Sequence, residues 1–446
     1  LSSSAADKNW SVIVIATLAA LALRAWFVTA AHIDIPNRGD AGEYIAYATN
    51  LVQHQVFSVA SGNMSARPDN YRDPGYPLFL SFWVTFIHDP SLRYTSVQWA
   101  QALLSSLTVS AYLLLARRWL TLPWLIFCAA LLAFWPHSIT MPAYVLSETL
   151  LGFLVAAGLC LLAEGAAREQ GRWLMCGAAA FGLAGLTNVV MAPFLPLLAA
   201  IAWFTHPSRR NAFALILLTS LTPPACWAIR NALIVQGSAA SSRAIINLVQ
   251  GSWPEYHDAW RASLQGNAAG KATSACIEEE VRAAIHSPSD GVISILKRID
   301  KQPLRYIGWY ASKPALLWDW NMRIAAAPLY VFPTQDSALE SGDVLRMLVR
   351  ALKALNPWIG VLAFTGCGIA LWGLRTYDAA ITALLLLHAT LIYGLFQSEP
   401  RYAVPFRGAE IVMSILAMAW VTGTLANNVT FLMVSRKNLR RWYGSC

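Results

Sequence analysis

Apolar residues run along this chain in long blocks separated by short polar breaks. A helix crossing a bilayer needs about 20 mostly apolar residues. Blocks of that character fall at 10–31, 94–116, 122–135, 148–163, 173–187, 190–204, 213–229, 357–374, 379–396 and 405–425. The pattern predicts an all-α polytopic membrane protein with about ten transmembrane helices. Three stretches depart from it. Residues 74–88 are apolar but short and rich in Tyr, Phe and Trp, which suits a helix lying in the membrane interface. Residues 33–77 collect Asp34, Arg38, Asp40, Glu43, Arg67, Asp69, Arg72 and Asp73 between apolar blocks, as the wall of a site facing out of the membrane would. After the seventh block a long, mostly polar loop reaches residue 346, and its aromatic section at 303–320 suits the membrane surface.

Composition supports the class. Of 446 residues 57% are hydrophobic and 13% charged, whereas about a quarter are charged in ordinary globular chains. The net charge of +9 fits inner loops facing anionic lipid better than nucleic acid, and no nucleic-acid partner is expected. With 74–88 lying flat, the pairs Arg117 and Arg118, Arg168 and Arg172, and Arg209 and Arg210 all face the cytoplasm, as do Arg436, Lys437, Arg440 and Arg441 near the end. Both termini are then cytoplasmic. The chain divides into an N-terminal module (1–230) holding a first outer loop (32–92), an outer region (231–346) and a C-terminal module (347–446). Residues 1–9 start without Met and are set aside as a processing remnant.

Seven cysteines form no disulfide framework, and eight histidines show no metal-ligand spacing. Glycine-rich nucleotide loops are absent too, so neither a metal nor a cofactor is indicated. The sequons at Asn63 and Asn428 carry little weight.

Asp40 is the leading candidate for chemistry, and it has two readings. With Glu43 three residues on, it matches a capping box at a helix start; it is also a carboxylate that could act as a base. Glu148 opens a later apolar block on the same outer face. There it is either a partner of the helix dipole or a second catalytic carboxylate. Arg72, Arg230, Arg305, and Arg401 with Tyr402 come at outer ends of blocks or in outer loops. Each arginine alone reads as a snorkelling side chain; together they could neutralise a phosphate. Arg38, Glu43 and Tyr76 are further candidates.

The motifs GDAGEY, RDPGYPLFL, LSETL, WAIRN and EPRYAVP, in this order and with this sidedness, resemble the membrane-embedded GT-C glycosyltransferases. Within them the chain is similar to the branch with protein O-mannosyltransferases and the lipid A aminoarabinose transferase. The resemblance implies inverting transfer of a sugar from a polyprenyl monophosphate carrier, such as undecaprenyl phosphate, to a lipid, glycan or protein acceptor. It places the reaction on the extracytoplasmic face, in a bacterium at the inner membrane. It maps the proposed base onto Asp40, a second acidic residue onto Glu148, and two interfacial helices onto 43–55 and 74–88. Arg72 would match a basic residue where the aminoarabinose enzymes carry lysine. The Asp-Glu pair of the protein mannosyltransferases is spaced differently here. Rival readings are a lipid-linked glycan flippase or transporter, whose ionisable residues would lie near the midplane, and an O-antigen polymerase or ligase.

Overall fold

The computed structural model of the protein describes residues 3–60, 67–234, 239–374 and 376–423. The sequons at Asn63 and Asn428 and the basic residues from Arg436 onward lie outside the described residues. All ten apolar blocks are helical. Helix α1 (Ser3–Ala30) is followed by two shorter helices, α2 (Asp40–His54) and α3 (Gly75–Phe86), and then by α4 (Pro90–Ala116). The start of α4 is well defined: the Asp89 side chain accepts from Leu92 N–H, and Pro90 takes the first position. Next come α5 (Leu122–Phe134), the short α6 (Pro136–Thr140), α7 (Glu148–Arg168), α8 (Gly171–Thr187), α9 (Phe194–Thr205) and α10 (Arg210–Ile234).

The long polar loop is itself helical. It contains α11 (Ala239–Ser252), α12 (Tyr256–Leu264), α13 (Ala268–His286), α14 (Pro288–Lys301) and α15 (Pro303–Leu317). Ile245, Val249, Ala284 and Ile295 give this region a small core of its own. After α16 (Ala338–Ser341), the chain returns to the main bundle through α17 (Asp343–Gly368), α18 (Tyr377–Leu395), the short α19 (Pro400–Ala403) and α20 (Arg407–Val421).

Seven described helices are long and apolar enough to cross a membrane, or eight if the bent pair spanning α5 and α6 is one crossing. The apolar blocks predict about ten, and the difference lies in the shorter apolar helices. Helix α8 has 17 residues and α9 has 12, the first at the short end of the roughly 17–25 of a full crossing and the second below it. The break between them is local: Asn188 leaves helical backbone and accepts from Val190 N–H, and Pro193 precedes the restart. The expected interfacial segment is helical as α3, whose 12 residues are likewise too few to cross.

Helix α20 is central and α10 peripheral. In the most apolar stretch of Pro400–Val421, the span that ends in α20, 78% is buried, against only 11% in that of Pro207–Ile234, the span that holds α10. Helix α7 lies against α4 and α8, α17 against α20, and α1 against α4 and α5. A two-residue antiparallel pairing, His32 with Gln335 and Ile33 with Thr334, ties the chain after α1 to the segment that follows α15. One end of the bundle therefore gathers the exit of α1, the helices α2 and α3, the starts of α7 and α20, and the helices α11 to α15.

Candidate active site

Helix α2 starts unusually. Its N-cap is Gly39, at φ +53° and ψ −131°, with no side-chain capping bond. This backbone favours glycine, and it turns Asp40 and Glu43 away from the helix end. Both carboxylates go to Arg72, whose Nη2 donates to Asp40 Oδ1 at 2.6 Å and whose Nε donates to Glu43 Oε2 at 2.5 Å. The capping-box reading of Asp40 is thus overturned: charge-assisted bonds to a guanidinium outcompete bonds to backbone N–H groups.

Arg401 supplies the second link. Its Nη2 donates to Asp40 Oδ2 at 3.0 Å and its Nε to Glu148 Oε1 at 2.5 Å. Asp40, at the first position of α2, and Glu148, at the first position of α7, are thereby joined through an arginine that precedes α20. Burial raises the affinity of Asp40 for a proton, but Arg401 and Arg72 outweigh it and hold the carboxyl well below the usual carboxylate range. Asp40 is ionised at every physiological pH. The cluster opens on one side, since the Asp40 and Glu43 side chains are each 34% exposed while those of Glu148 and Arg401 are 8% and 13%.

The surrounding loop is built to present Arg72. Asp69 accepts from Tyr47 O–H, from Val59 N–H at 2.9 Å and from Tyr71 N–H at 3.1 Å, which knots the segment just before Arg72. Gly75 permits the start of α3 to lie close against the end of α8, because a β-carbon there would lie 2.5 Å from Thr187 Oγ1 and 2.8 Å from the Leu186 carbonyl carbon. The Arg72 guanidinium lies over the Tyr44 ring at 5.2 Å. Tyr44 donates to Ser147 Oγ at 3.3 Å and meets Tyr76 edge-on at 5.0 Å, joining α2 to the start of α7.

The other sequence candidates are distributed unevenly. Tyr76 is fully buried and donates to Gln101 Oε1 at 2.8 Å, as a support for Tyr44. Tyr402 stacks on Tyr393 at 5.3 Å and donates to Gln397 Oε1 at 3.4 Å. Arg230 stands beside the cluster, donating to the Asp69 carbonyl at 2.8 Å and lying over the Trp227 ring at 4.7 Å. Arg38 covers the Phe332 ring at 4.9 Å. Arg305 is not brought to the site, because it pairs from α15 with Glu255 at the start of α12. The sequence reading missed Arg243, which donates to the Tyr71 carbonyl at 3.2 Å and lies 3.6 Å from Asp73. An arginine inside an amphipathic helix carries no local mark of such a contact.

A second buried group lies nearby. Glu399 Oε1 accepts from Arg323 N–H at 2.6 Å, and Oε2 lies 3.5 Å from His257 Nε2 of α12. Burial pushes the Glu399 carboxyl up to about 7, against the opposing pull of the Arg323 and Ile324 backbone N–H groups and of Arg401. Burial also pushes the His257 ring down to about 4, with Arg323 acting the same way. Lys313 is fully buried, donates to the Phe396 carbonyl at 2.5 Å, and is pushed down to about 7 by burial. Among the described residues no group of three or more His, Cys, Asp and Glu side chains is placed to hold a metal ion.

The fold is similar to that of a solved protein, and weaker likenesses accompany it. The chain aligns with the oligosaccharyltransferase of Archaeoglobus fulgidus in its apo form at a TM-score of 0.50 and 13% identity, over 93% of this chain and 50% of that one. The same enzyme, AglB, in complex with an inhibitory peptide and a dolichol-phosphate aligns at 0.48 and 14% identity, over 98% and 52%. ArnT from Cupriavidus metallidurans bound to undecaprenyl phosphate aligns at 0.37 and 14% identity, over 94% and 77%. No protein-family model and no curated protein sequence matches the chain. The protein thus has the fold of the archaeal oligosaccharyltransferase and spans about half its length. The all-α, multi-pass class expected from the apolar blocks is the class observed.

Proposed function

We propose that the protein is a membrane glycosyltransferase that moves a sugar from a polyprenyl monophosphate to an acceptor, with Asp40 as the base and the reaction on the extracytoplasmic face. The observation that carries this reading is the cluster itself. Two carboxylates from distant segments, Asp40 and Glu148, share Arg401 at one end of the bundle, and Asp40 is exposed on the open side. The shared oligosaccharyltransferase fold and the sequence motifs favour the same chemistry. A transporter would be expected to keep such groups near the membrane midplane.

In the reaction, an acceptor hydroxyl or amine attacks the sugar C1, a new bond to C1 forms, and the C1–O bond to phosphate breaks with inversion. The phosphate leaves on its lipid, and the acceptor proton passes to the Asp40 carboxylate and then to water. While two arginines hold Asp40 it is a weak base. A phosphate offers Arg72 and Arg401 a competing bidentate partner; when they turn to it, Asp40 is released and its proton affinity rises. Donor binding and base activation are then one event. The exposed apolar flank of α10, including Leu218, Ile229 and Leu233, ends beside Arg230 and gives the lipid tail a path to the site.

Purified protein in lipid nanodiscs, supplied with radiolabelled polyprenyl-phosphate sugars and cell-envelope lipid, tests the reading. Transfer of label with release of polyprenyl phosphate is expected. Movement of the intact donor across vesicles without breakage of its C1–O bond would replace this reading with a flippase.

A further inference from the structure

Arg24 lies within α1 and is fully buried. Its Nε donates to Ser105 Oγ at 2.7 Å, and its Nη1 to the carbonyls of Ala20 and Ala133 at 3.1 and 3.2 Å. Its Nη2 has no partner. No carboxylate among the described residues pairs with it, and a buried guanidinium without a counter-charge is costly.

A small cavity of about 40 Å³ explains what Arg24 faces. Arg24, Ser105, Ser138, Glu148, Thr149 and Gly152 are among its walls. Glu148 Oε2, the oxygen that Arg401 does not hold, is buried without a partner, and so is Thr149 Oγ1. Three polar groups of complementary chemistry thus line one cavity. A cavity needs roughly 10–15 Å³ to hold a water, so this one has room for at least one. Charge supports the same connection. Asp40, Glu43 and Glu148 outnumber Arg72 and Arg401 by one, and Arg24 brings the group to neutrality.

We propose that Arg24 is a positioning residue of the reaction centre, holding the second oxygen of Glu148 through water in this cavity. Held from below, Glu148 keeps its orientation when Arg401 turns toward a phosphate. Arg24 touches no substrate; it acts through Glu148. Its effect on turnover rests on the glycosyl-transfer reading, whereas the linkage between Arg24 and Glu148 does not.

The test is a thermal-unfolding cycle on the full chain in detergent, with Glu148→Gln made in the parent, Arg24→Lys and Arg24→Gln backgrounds. Linked groups are non-additive: Glu148→Gln should lower Tm in the parent and in Arg24→Lys, and lower it less in Arg24→Gln. Should Arg24→Gln fail to accumulate, Arg24→Met supplies a second neutral variant of similar volume. In transfer assays Arg24→Gln should lower kcat about tenfold, which is about 1.4 kcal/mol, with KM for the donor unchanged, and Arg24→Lys should recover most of the loss. Additive Tm losses overturn the linkage, and an unchanged kcat in Arg24→Gln overturns the positioning role. If the parent transfers no sugar, the glycosyl-transfer reading has failed, and the Tm cycle alone decides whether Arg24 and Glu148 are linked.

Discussion

Two buried arginine-carboxylate groups sit a short way apart on the same segment, and they are built differently. Arg407 and Glu410 lie on one turn of α20, each with a side chain 1% exposed, paired at 2.8 Å. Arg407 also donates to the Trp318 carbonyl at 3.2 Å and to Asn356 Oδ1 at 3.3 Å. This pair is sealed, and it fastens α20 to α17 and to the chain leaving α15. The cluster around Arg401 draws its carboxylates from two remote segments and leaves two of them a third exposed. The same chemistry therefore does two jobs. Enclosed on all sides it holds helices together; opened on one side, with arginines that a phosphate can attract, it becomes a place where charge can be redistributed.

Breaking the sealed pair should give the largest loss of stability. Arg407→Ala or Glu410→Ala leaves a buried charge uncompensated, at a cost of about 3–5 kcal/mol. Both should lower the thermal midpoint, measured by unfolding in detergent, more than any single change in the open cluster.

Glu399 precedes the open cluster and sharpens the contrast, because it is buried with a neutral histidine instead of an arginine. The folded chain keeps its proton up to about pH 7, whereas an unfolded chain releases it near 4.5. The stability this group contributes is therefore fully present below pH 4.5 and is lost as pH rises through 7, by roughly 3 kcal/mol in all. Glu399→Gln keeps the neutral shape and should flatten that part of a stability-versus-pH profile. His257 acts oppositely, its contribution being lost as pH falls from 6.5 through about 4.

Within the open cluster, Arg401→Ala should weaken donor binding by about 1.5–3 kcal/mol through loss of charge-assisted contacts. Isothermal titration with the polyprenyl-phosphate donor measures it. Arg230→Ala should have the smallest effect, at most about 1 kcal/mol, since Arg230 is held by a backbone carbonyl and a ring beside the cluster. Equal losses in the two variants would erase the distinction between cluster and margin.

Much of this was legible in the chain. Long apolar blocks locate the helices because burial in lipid demands them, and sidedness alone put Asp40, Arg72, Glu148 and Arg401 at one end. What local spacing could not show is which partner wins. Asp40 and Glu43 spell a capping box, yet Arg72, 29 residues from Glu43, takes both carboxylates. Arg305 resembles the other outer arginines until Glu255 is seen beside it. Arg24 reads as one charge inside an apolar block, and its significance lies in a cavity formed by distant helices. The break at Asn188 that shortens α8 and α9 depends on a side chain folding back on its own backbone, which hydropathy does not register.

The central claim is that Asp40 takes the acceptor proton, and Asp40→Asn tests it most directly. Asn can still accept from one arginine, and because Asp40 does not cap α2, the helix start needs no side chain from it. The measurement is transfer of radiolabelled sugar by purified parent and Asp40→Asn proteins, with donor binding and thermal unfolding recorded on the same samples. A folded variant that binds donor and transfers about 100-fold to 10,000-fold more slowly is the predicted result. Transfer at the parent rate by a folded, donor-binding Asp40→Asn protein would contradict the account.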